Sequence, residues 1–147
     1  QWLRERPADW TVIAVKQREI EFIPCTWNKM LPPIGKRKSR EAEHWITVRL
    51  FARSDKLFLH VLVCPTSDLA QRRRLLERLV ANPAEFGFPR KKTFTDAWTR
   101  LLTEDVCELS EDGETDMELV LPRIEKHLTA LTKRTETLPS QMRRLFA

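Results

Sequence analysis

Glycine and cysteine are both scarce in this chain of 147 residues, with three of each. So few glycines exclude a glycine-rich phosphate-binding loop, and the pair Gly35-Lys36 lacks the glycine five residues earlier that a P-loop requires. Cys25, Cys64 and Cys107 are widely spaced and odd in number, a pattern that indicates neither a zinc site nor a disulfide framework. We therefore expect free thiols, a reducing cytoplasmic location and no bound cofactor.

Long hydrophobic runs are also absent. No apolar stretch approaches the roughly 20 residues of a membrane-spanning helix, and the polar start of the chain does not resemble a secretory signal. We therefore expect no membrane partner. The chain does not begin with Met, so we expect residues 1–147 to form a single domain that is part of a longer protein.

The pattern of residues 44–79 predicts the centre of the fold. Residues 45–51 alternate between apolar and polar side chains, which is typical of a strand with one buried face. The polar stretch 52–56 is short enough to close a hairpin. Residues 57–63 are nearly all apolar, as expected for a central strand. A helix follows at 69–80, with apolar residues at helical spacing.

Weaker patterns extend the architecture on both sides of this unit. Residues 10–15 and Glu19–Pro24 predict a hairpin, and residues 98–102 predict a fifth strand. A second long helix either starts near Leu121 or is kinked at Pro122, because proline damages a helix interior. The order ββ-ββα-βα predicts an α+β fold, with an antiparallel or mixed sheet of about five strands and two main helices packed on it.

Charge is distributed unevenly along the chain. The net charge is +5, but residues 1–103 hold 20 lysines and arginines against 11 acids, whereas residues 104–147 hold 6 against 10. Residues 104–118 form an acidic segment, and residues 35–40 form a basic loop that is either simply solvated or contacts phosphate. A pI near 9.4 with clustered arginine indicates an anionic partner, nucleic acid first.

The candidate nucleic-acid-binding residues are cations from three separate segments that we expect to share one face. They are Lys36, Arg37, Lys38, Arg40, Arg73, Arg74, Arg90, Lys91 and Lys92. Phe86 and Phe88 precede the last of these segments, and they either stack bases or anchor the loop to the core. Of these two roles, the sequence favours the anchor.

Two residues, Arg72 and His60, break the apolar pattern of their elements. Arg72 falls inside the apolar stripe of the first predicted helix, and His60 interrupts the central strand. Arg72 either lays its stem over the core rim with its head in water or on a carboxylate, or points into a functional groove. His60 is either a satisfied core histidine or part of that groove, where it would titrate near neutrality.

The motifs of familiar enzymes are missing. His44, His60 and His127 are isolated, without HxH or HExxH spacing. A scan for E-x-K and D-x-K triplets, which a two-carboxylate-plus-lysine nuclease site would need, finds none. The acidic turn at 111–113 lacks the spacing of a calcium loop. We therefore assign no catalytic residue and no metal ligand.

Four segments of the chain follow one another in an order that suggests a relationship, and they read HWITVRLFA, KLFLHVLVCP, RRRLLERL and LVLPRIEKHL. This order, over about residues 40–131, resembles the C-terminal accessory region of some prokaryotic PD-(D/E)XK-type nuclease-family proteins. In that family the catalytic acids and lysine lie in a separate N-terminal core, so no catalytic residue is carried over. The resemblance implies a place in bacterial DNA defence or DNA processing.

Three hypotheses about function follow from the sequence. The leading one is a non-catalytic accessory module that binds nucleic acid, DNA more than RNA, or docks a nuclease partner. The second is a protein–protein interaction or dimerisation domain, whose basic surface meets an acidic partner or its own segment 104–118. The third is an enzyme, a nuclease with an unfamiliar site around His60 and Arg72.

Overall fold

The structure, a computed structural model, describes residues 10–24, 27, 45–66, 68–90, 94–95, 97–109 and 117–145. The elements within these residues are β1 (Trp10–Lys16), β2 (Glu19–Pro24), β3 (Ile46–Arg53), β4 (Lys56–Val63), α1 (Leu69–Val80), α2 (Pro83–Phe86), β5 (Thr99–Glu108), α3 (Met117–Arg134) and α4 (Leu138–Leu145). The strands form one antiparallel sheet in the order β1-β2-β3-β4-β5. This confirms the predicted α+β fold, with α1 and α3 as its two main helices.

A two-residue turn joins β3 to β4. Arg53 pairs with Lys56, so only Ser54 and Asp55 lie between the paired residues. Ser54 has a φ of +55°, in the left-handed region that two-residue hairpin turns use. The polar composition of 52–56 predicts a longer connection. Both strands extend into this polar stretch because strand pairing uses backbone hydrogen bonds. Polar side chains at the end of a sheet do not prevent those bonds.

One face of the sheet, here called the inner face, is apolar and covered by helices. Leu59, Val61 and Val63 of β4 point to it and are completely buried. Glu104 of β5 pairs with Leu59 and therefore shares this face. His127 of α3 is hydrogen-bonded to Glu104 there, so α3 packs on the inner face.

Helix α1 occupies the range that the sequence predicts, Leu69–Val80. Asp68 caps its start, because the side chain accepts a hydrogen bond from the N–H of Gln71. The apolar residues that it buries are Leu75, Leu76, Leu79 and Val80. Burial of each such side chain contributes about 1.5–3 kcal/mol, so burial of its apolar side in the core holds the helix in place.

Arg78 connects α1 to the two short helices. Its guanidinium donates one hydrogen bond to each carboxylate oxygen of Glu85 in α2, both at 2.8 Å. It also donates to the side chain of Gln141 in α4. The hydrogen bond with Arg78 lowers the pKa of the Glu85 carboxyl and raises the pKa of Arg78. Both short helices are therefore anchored to α1 by one cation.

The segment after α2 is fixed to the core. Gly87 ends α2 with a φ of +77°, and a Cβ there would lie 3.2 Å from the side chain of Arg134. Phe86 and Phe88 are both buried. Because their rings are inside, these two aromatics anchor the segment, which is the role that the sequence favours for them.

Strand β5 is longer than the predicted strand at 98–102. It runs from Thr99 to Glu108 and takes in the first part of the acidic segment. A strand of this length accommodates its charges because it lies at the edge of the sheet and exposes alternate side chains such as Thr103 and Asp105. The acidic composition of residues 104–108 is therefore a poor indicator of a loop at a sheet edge.

Helix α3 runs from Met117 to Arg134 with Pro122 inside it. The expected start near Leu121 is therefore wrong. Pro122 is the sixth residue of the helix, so its missing N–H removes only the bond to the carbonyl of Glu118. Glu118 is exposed to solvent in the first turn, where water can replace that bond.

Arg72 is buried, with 2% of its surface exposed. Its guanidinium donates hydrogen bonds to backbone carbonyls at the end of β4 and before β5, and to one hydroxyl. The acceptors are the carbonyls of Val63, Cys64, Thr95 and Ala97 and the Oγ1 of Thr99. The expectation of a groove shared by His60 and Arg72 is not met in the described residues, because the charged head is taken up by these acceptors. The alternative in which the head of Arg72 lies in water at the core rim is not met, because the residue is buried.

Replacing Arg72 with Met should lower the free energy of unfolding by roughly 3 kcal/mol or more. The change keeps an apolar stem but leaves buried carbonyls without a donor, at about 1–3 kcal/mol for each unsatisfied group. Arg73→Met is the matched control. Arg73 is exposed and pairs with Glu77 at 3.3 Å, a kind of contact worth about 0.5 kcal/mol. Urea unfolding measures both variants, and equal small losses would contradict a structural role for Arg72.

Candidate nucleic-acid interface

The face of the sheet opposite the helices, here called the outer face, carries a row of polar residues in direct register. Glu21 of β2 pairs with Arg49 of β3, Arg49 with His60 of β4, and His60 with Thr103 of β5. Directly paired residues point to the same side of an antiparallel sheet. Leu59 and Glu104 alternate with His60 and Thr103 along their strands, and α3 contacts Glu104, so the row faces away from α3.

Arg49 is held firmly at the centre of the outer face. Its guanidinium lies 3.4 Å from Glu21 Oε2 and 3.7 Å from Glu19 Oε1. The ring of Trp98 lies 4.2 Å from the guanidinium carbon, a cation–π geometry. Only 16% of the Arg49 side chain is exposed. This cation is thus neutralised and fixed in place, and it organises the face.

Three aromatic rings sit beside Arg49 at the tip of the β3–β4 hairpin. Phe51 stacks on Phe58 with ring centroids 5.3 Å apart, and Phe51 lies 4.4 Å from the ring of His60. All three residues are half-buried. The rings therefore support one another while each keeps part of its surface open to solvent. We call Phe51, Phe58 and His60 the aromatic cluster.

His60 is neutral at physiological pH. Burial first, and then the positive charges of Arg100 and Arg49, lower its pKa from 6.5 to about 4. Arg100 Nη1 lies 3.5 Å from His60 Nε2, and a neutral imidazole nitrogen can accept a hydrogen bond from that guanidinium. His60 therefore acts as a third aromatic ring in the cluster and adds no charge near pH 7.

Cations surround the aromatic cluster. Arg53 and Arg100 are exposed, and within the described residues no carboxylate lies at salt-bridge distance from either. Lys56 pairs with Asp105 at 3.8 Å, with both side chains largely solvated, so the contact is weak. The outer face thus combines open aromatic surface with two unpaired arginines.

Three of the cations proposed from the sequence lie within the described residues. Arg73, Arg74 and Arg90 are exposed, and the first two lie on α1. Arg73 pairs with Glu77, and Arg74 donates to the carbonyl of Leu145 at 3.1 Å. The others lie outside the described residues, and they are Lys36, Arg37, Lys38, Arg40, Lys91 and Lys92. Their convergence on one face stays a prediction.

Sequence reasoning identified His60 but missed its neighbours. Arg49, Phe51 and Arg53 alternate along β3, and Lys56, Phe58 and His60 alternate along β4. This matching alternation is the sequence signal for the site. It identifies the site only when the register between β3 and β4 is known, and the two-residue turn fixes that register by setting Phe51 opposite Phe58. A longer assumed connection conceals that pairing.

Comparisons with family models, with curated proteins and with solved structures found no match to this chain. The resemblance to a nuclease accessory region therefore stays a prediction. Among the described residues there is no group of three or more His, Cys, Asp or Glu side chains that could hold a metal ion. In the same part of the chain, no helix combines the length and the hydrophobicity needed to cross a bilayer.

The titration of His60 tests the electrostatics of the outer face. The folded protein should show a His60 pKa near 4, and Arg100→Gln should move it part of the way towards 6.5, since burial remains. The unfolded chain takes up this proton first, so the free energy of unfolding should fall as the pH drops from 6.5 to 4. NMR titration of the ring and urea unfolding at several pH values measure the two effects. A wild-type pKa near 6.5 would contradict this description.

Proposed function

We propose that this chain is a non-catalytic module that binds single-stranded nucleic acid on the outer face of its sheet. The observation that carries the proposal is the aromatic cluster flanked by two exposed arginines that have no carboxylate partner among the described residues. The residues that we assign to binding are Phe51, Arg53, Phe58, His60 and Arg100. In this proposal Arg49 positions the cluster and does not contact the ligand.

The chemistry of unpaired bases fits such a surface. Each base offers a flat π-face, and stacking it on an aromatic side chain is worth about 1–3 kcal/mol. Sheet-based RNA-binding modules use aromatic residues on an open sheet for this purpose. Phe51, Phe58 and His60 supply rings on two neighbouring strands. Since His60 is neutral, it can stack without the desolvation cost of a buried charge.

The same surface favours single strands over duplexes. In a duplex the base faces are stacked on one another, so an aromatic cluster gains contact only with unpaired bases. Arg53 and Arg100 can neutralise phosphates of the bound strand, and Lys56 can join them by giving up a weak pair. Two or three neutralised phosphates predict that log K falls against log salt with a slope of about −1.4 to −2.1.

The environment that we propose is bacterial DNA defence or processing, as an accessory to a nuclease. This rests on the resemblance described above and on the expectation, from the sequence, that DNA is preferred to RNA. The position of Arg72 supports a non-catalytic role. Arg72 is the second residue of the enzyme site that the third hypothesis places around His60, and its guanidinium is used to hold the fold together. His60 then has no described polar partner other than Arg100.

Binding is tested with fluorescently labelled oligonucleotides and anisotropy at low and high salt. Single-stranded DNA, single-stranded RNA and duplex DNA of equal length are compared. We expect the single strands to bind more tightly than the duplex, with the shallow salt slope given above. Tighter binding of the duplex, or no binding at low salt, would overturn the proposal.

Phe58→Ala should weaken the binding of single-stranded DNA by about 1–3 kcal/mol, because one stacking surface is lost. The matched control is Leu119→Ala, which truncates an apolar side chain of α3 that is 69% exposed. Circular dichroism confirms that each variant folds. An equal loss in both variants would contradict a role for the aromatic cluster.

Arg100→Gln should weaken binding and reduce the salt slope by about 0.7, the value for one phosphate on a single strand. Arg144→Gln is the matched control, since it removes the same charge from the exposed end of α4. Because Arg100 is exposed, the variant should keep its stability, so a lost contact is separable from a lost fold. If only Arg144→Gln reduces binding, the nucleic acid binds to arginines of the helices and not to the outer face.

A further inference from the structure

We propose that a cavity between α3 and β5 binds the phosphate group of a phosphate monoester. The cavity has a volume of about 400 Å³ and is lined by Val106, Arg123, Lys126 and His127. Two of these four side chains are cations with nitrogen donors, the third is an imidazole, and the fourth is apolar. The site lies against α3, on the helical side of the sheet, and is independent of the outer face.

His127 is oriented towards this role by a carboxylate behind it. Its Nδ1–H donates to Glu104 Oε2 at 2.7 Å, which leaves Nε2 as the ring nitrogen available to the cavity. The other oxygen of Glu104 accepts a hydrogen bond from Arg134 Nη2 at 3.2 Å. A carboxylate that holds the far nitrogen of a histidine fixes both the tautomer and the ring orientation. The imidazole is thus positioned before any ligand arrives.

Arg123 and Lys126 complete a cationic wall. Residues 123, 126 and 127 lie three and four positions apart on α3, so their side chains share one side of the helix. Among the residues that the structure describes, no acid lines the cavity. Within the described residues, neither Arg123 nor Lys126 is at salt-bridge distance from a carboxylate. The charge of both side chains is therefore available to a ligand.

The donor set fits a phosphoryl group. Arg offers a planar fork for two oxygens and Lys offers a point charge, the two usual ways in which proteins hold phosphate. The imidazole of His127 adds a third direction through Nε2, which accepts a hydrogen bond from a protonated phosphate oxygen when the ring is neutral and donates one when the ring is protonated. A cavity of about 400 Å³ falls in the range of small-molecule sites and leaves room beside Val106 for the group that carries the phosphate. This room favours an ester over the free ion.

Two sources share this chemistry: a small metabolite with a terminal phosphate and the phosphorylated end of a nucleic acid. Both present a dianionic group on a single carbon–oxygen bond. Amide chemical shifts of the uniformly labelled protein locate binding for each probe. The probes are inorganic phosphate, a nucleoside 5′-monophosphate, the nucleoside without phosphate, and a short single-stranded oligonucleotide with a 5′-phosphate or a 5′-hydroxyl.

We expect the monophosphate to shift the amides of residues 104–108 and 123–127, and to bind more tightly than inorganic phosphate. The unphosphorylated nucleoside should leave these amides in place. Arg123→Gln and Lys126→Gln should each raise the Kd for the monophosphate by about tenfold, since each removes a charged hydrogen-bond donor. Lys133→Gln is the matched control, because it removes an exposed lysine from the same helix outside the cavity.

Three results would overturn the proposal. The first is that neither the nucleoside 5′-monophosphate nor inorganic phosphate shifts the amides of these residues. Another is an equal effect of Lys133→Gln and Lys126→Gln, which indicates diffuse attraction to surface charge. The third is equal binding of nucleoside and monophosphate. A preference of the cavity for the 5′-phosphorylated oligonucleotide over the mononucleotide would assign the nucleic-acid source, and the reverse would assign the metabolite.

The two proposals fail separately. Binding of the 5′-hydroxyl oligonucleotide, followed through the amides of residues 51–60, reports the outer face. Binding of the monophosphate, followed through residues 123–127, reports the cavity. Loss of one signal with retention of the other shows which proposal is wrong.

Discussion

The buried guanidinium of Arg72 is the interaction on which the arrangement of the fold depends. It joins α1 to the carbonyls of Val63 and Cys64 at the end of β4 and to those of Thr95 and Ala97 before β5. A buried charge is costly unless it is fully hydrogen-bonded, and four backbone carbonyls and the hydroxyl of Thr99 supply such bonds. The contact ties α1 to the end of β4 and to the place where the chain returns to begin β5.

The arginines of this protein differ in their partners, a difference that the net charge does not show. Arg49, Arg78 and Arg134 are engaged by carboxylates, and they connect strands and helices. Arg53, Arg100 and Arg123 have no such partner within the described residues and are exposed. Fixed cations shape the surface, and unpaired ones attract anions.

The sequence predicted the fold better than the site, for physical reasons. Alternation and capping are local, so β3, β4 and the limits of α1 could be deduced from a few neighbouring residues. The length of β5 could not, because an edge strand tolerates charges such as Glu104 and Asp105 that resemble a loop in composition. The outer face was missed because it needs the register across β2, β3, β4 and β5. Arg72 was misjudged because its acceptors are backbone carbonyls, which have no sequence signature.

The strand order of the sheet also bears on how the chain reaches its native state. Each strand pairs with the strand that precedes it along the chain, so no segment has to pass between two others. Closing successive hairpins costs less chain entropy than joining distant strands, and sheets rich in such local pairings assemble quickly. During synthesis, each strand that leaves the ribosome meets a partner that has already emerged. The sheet can therefore form in the direction of translation, with β5 pairing last with a meander of four strands that has already formed.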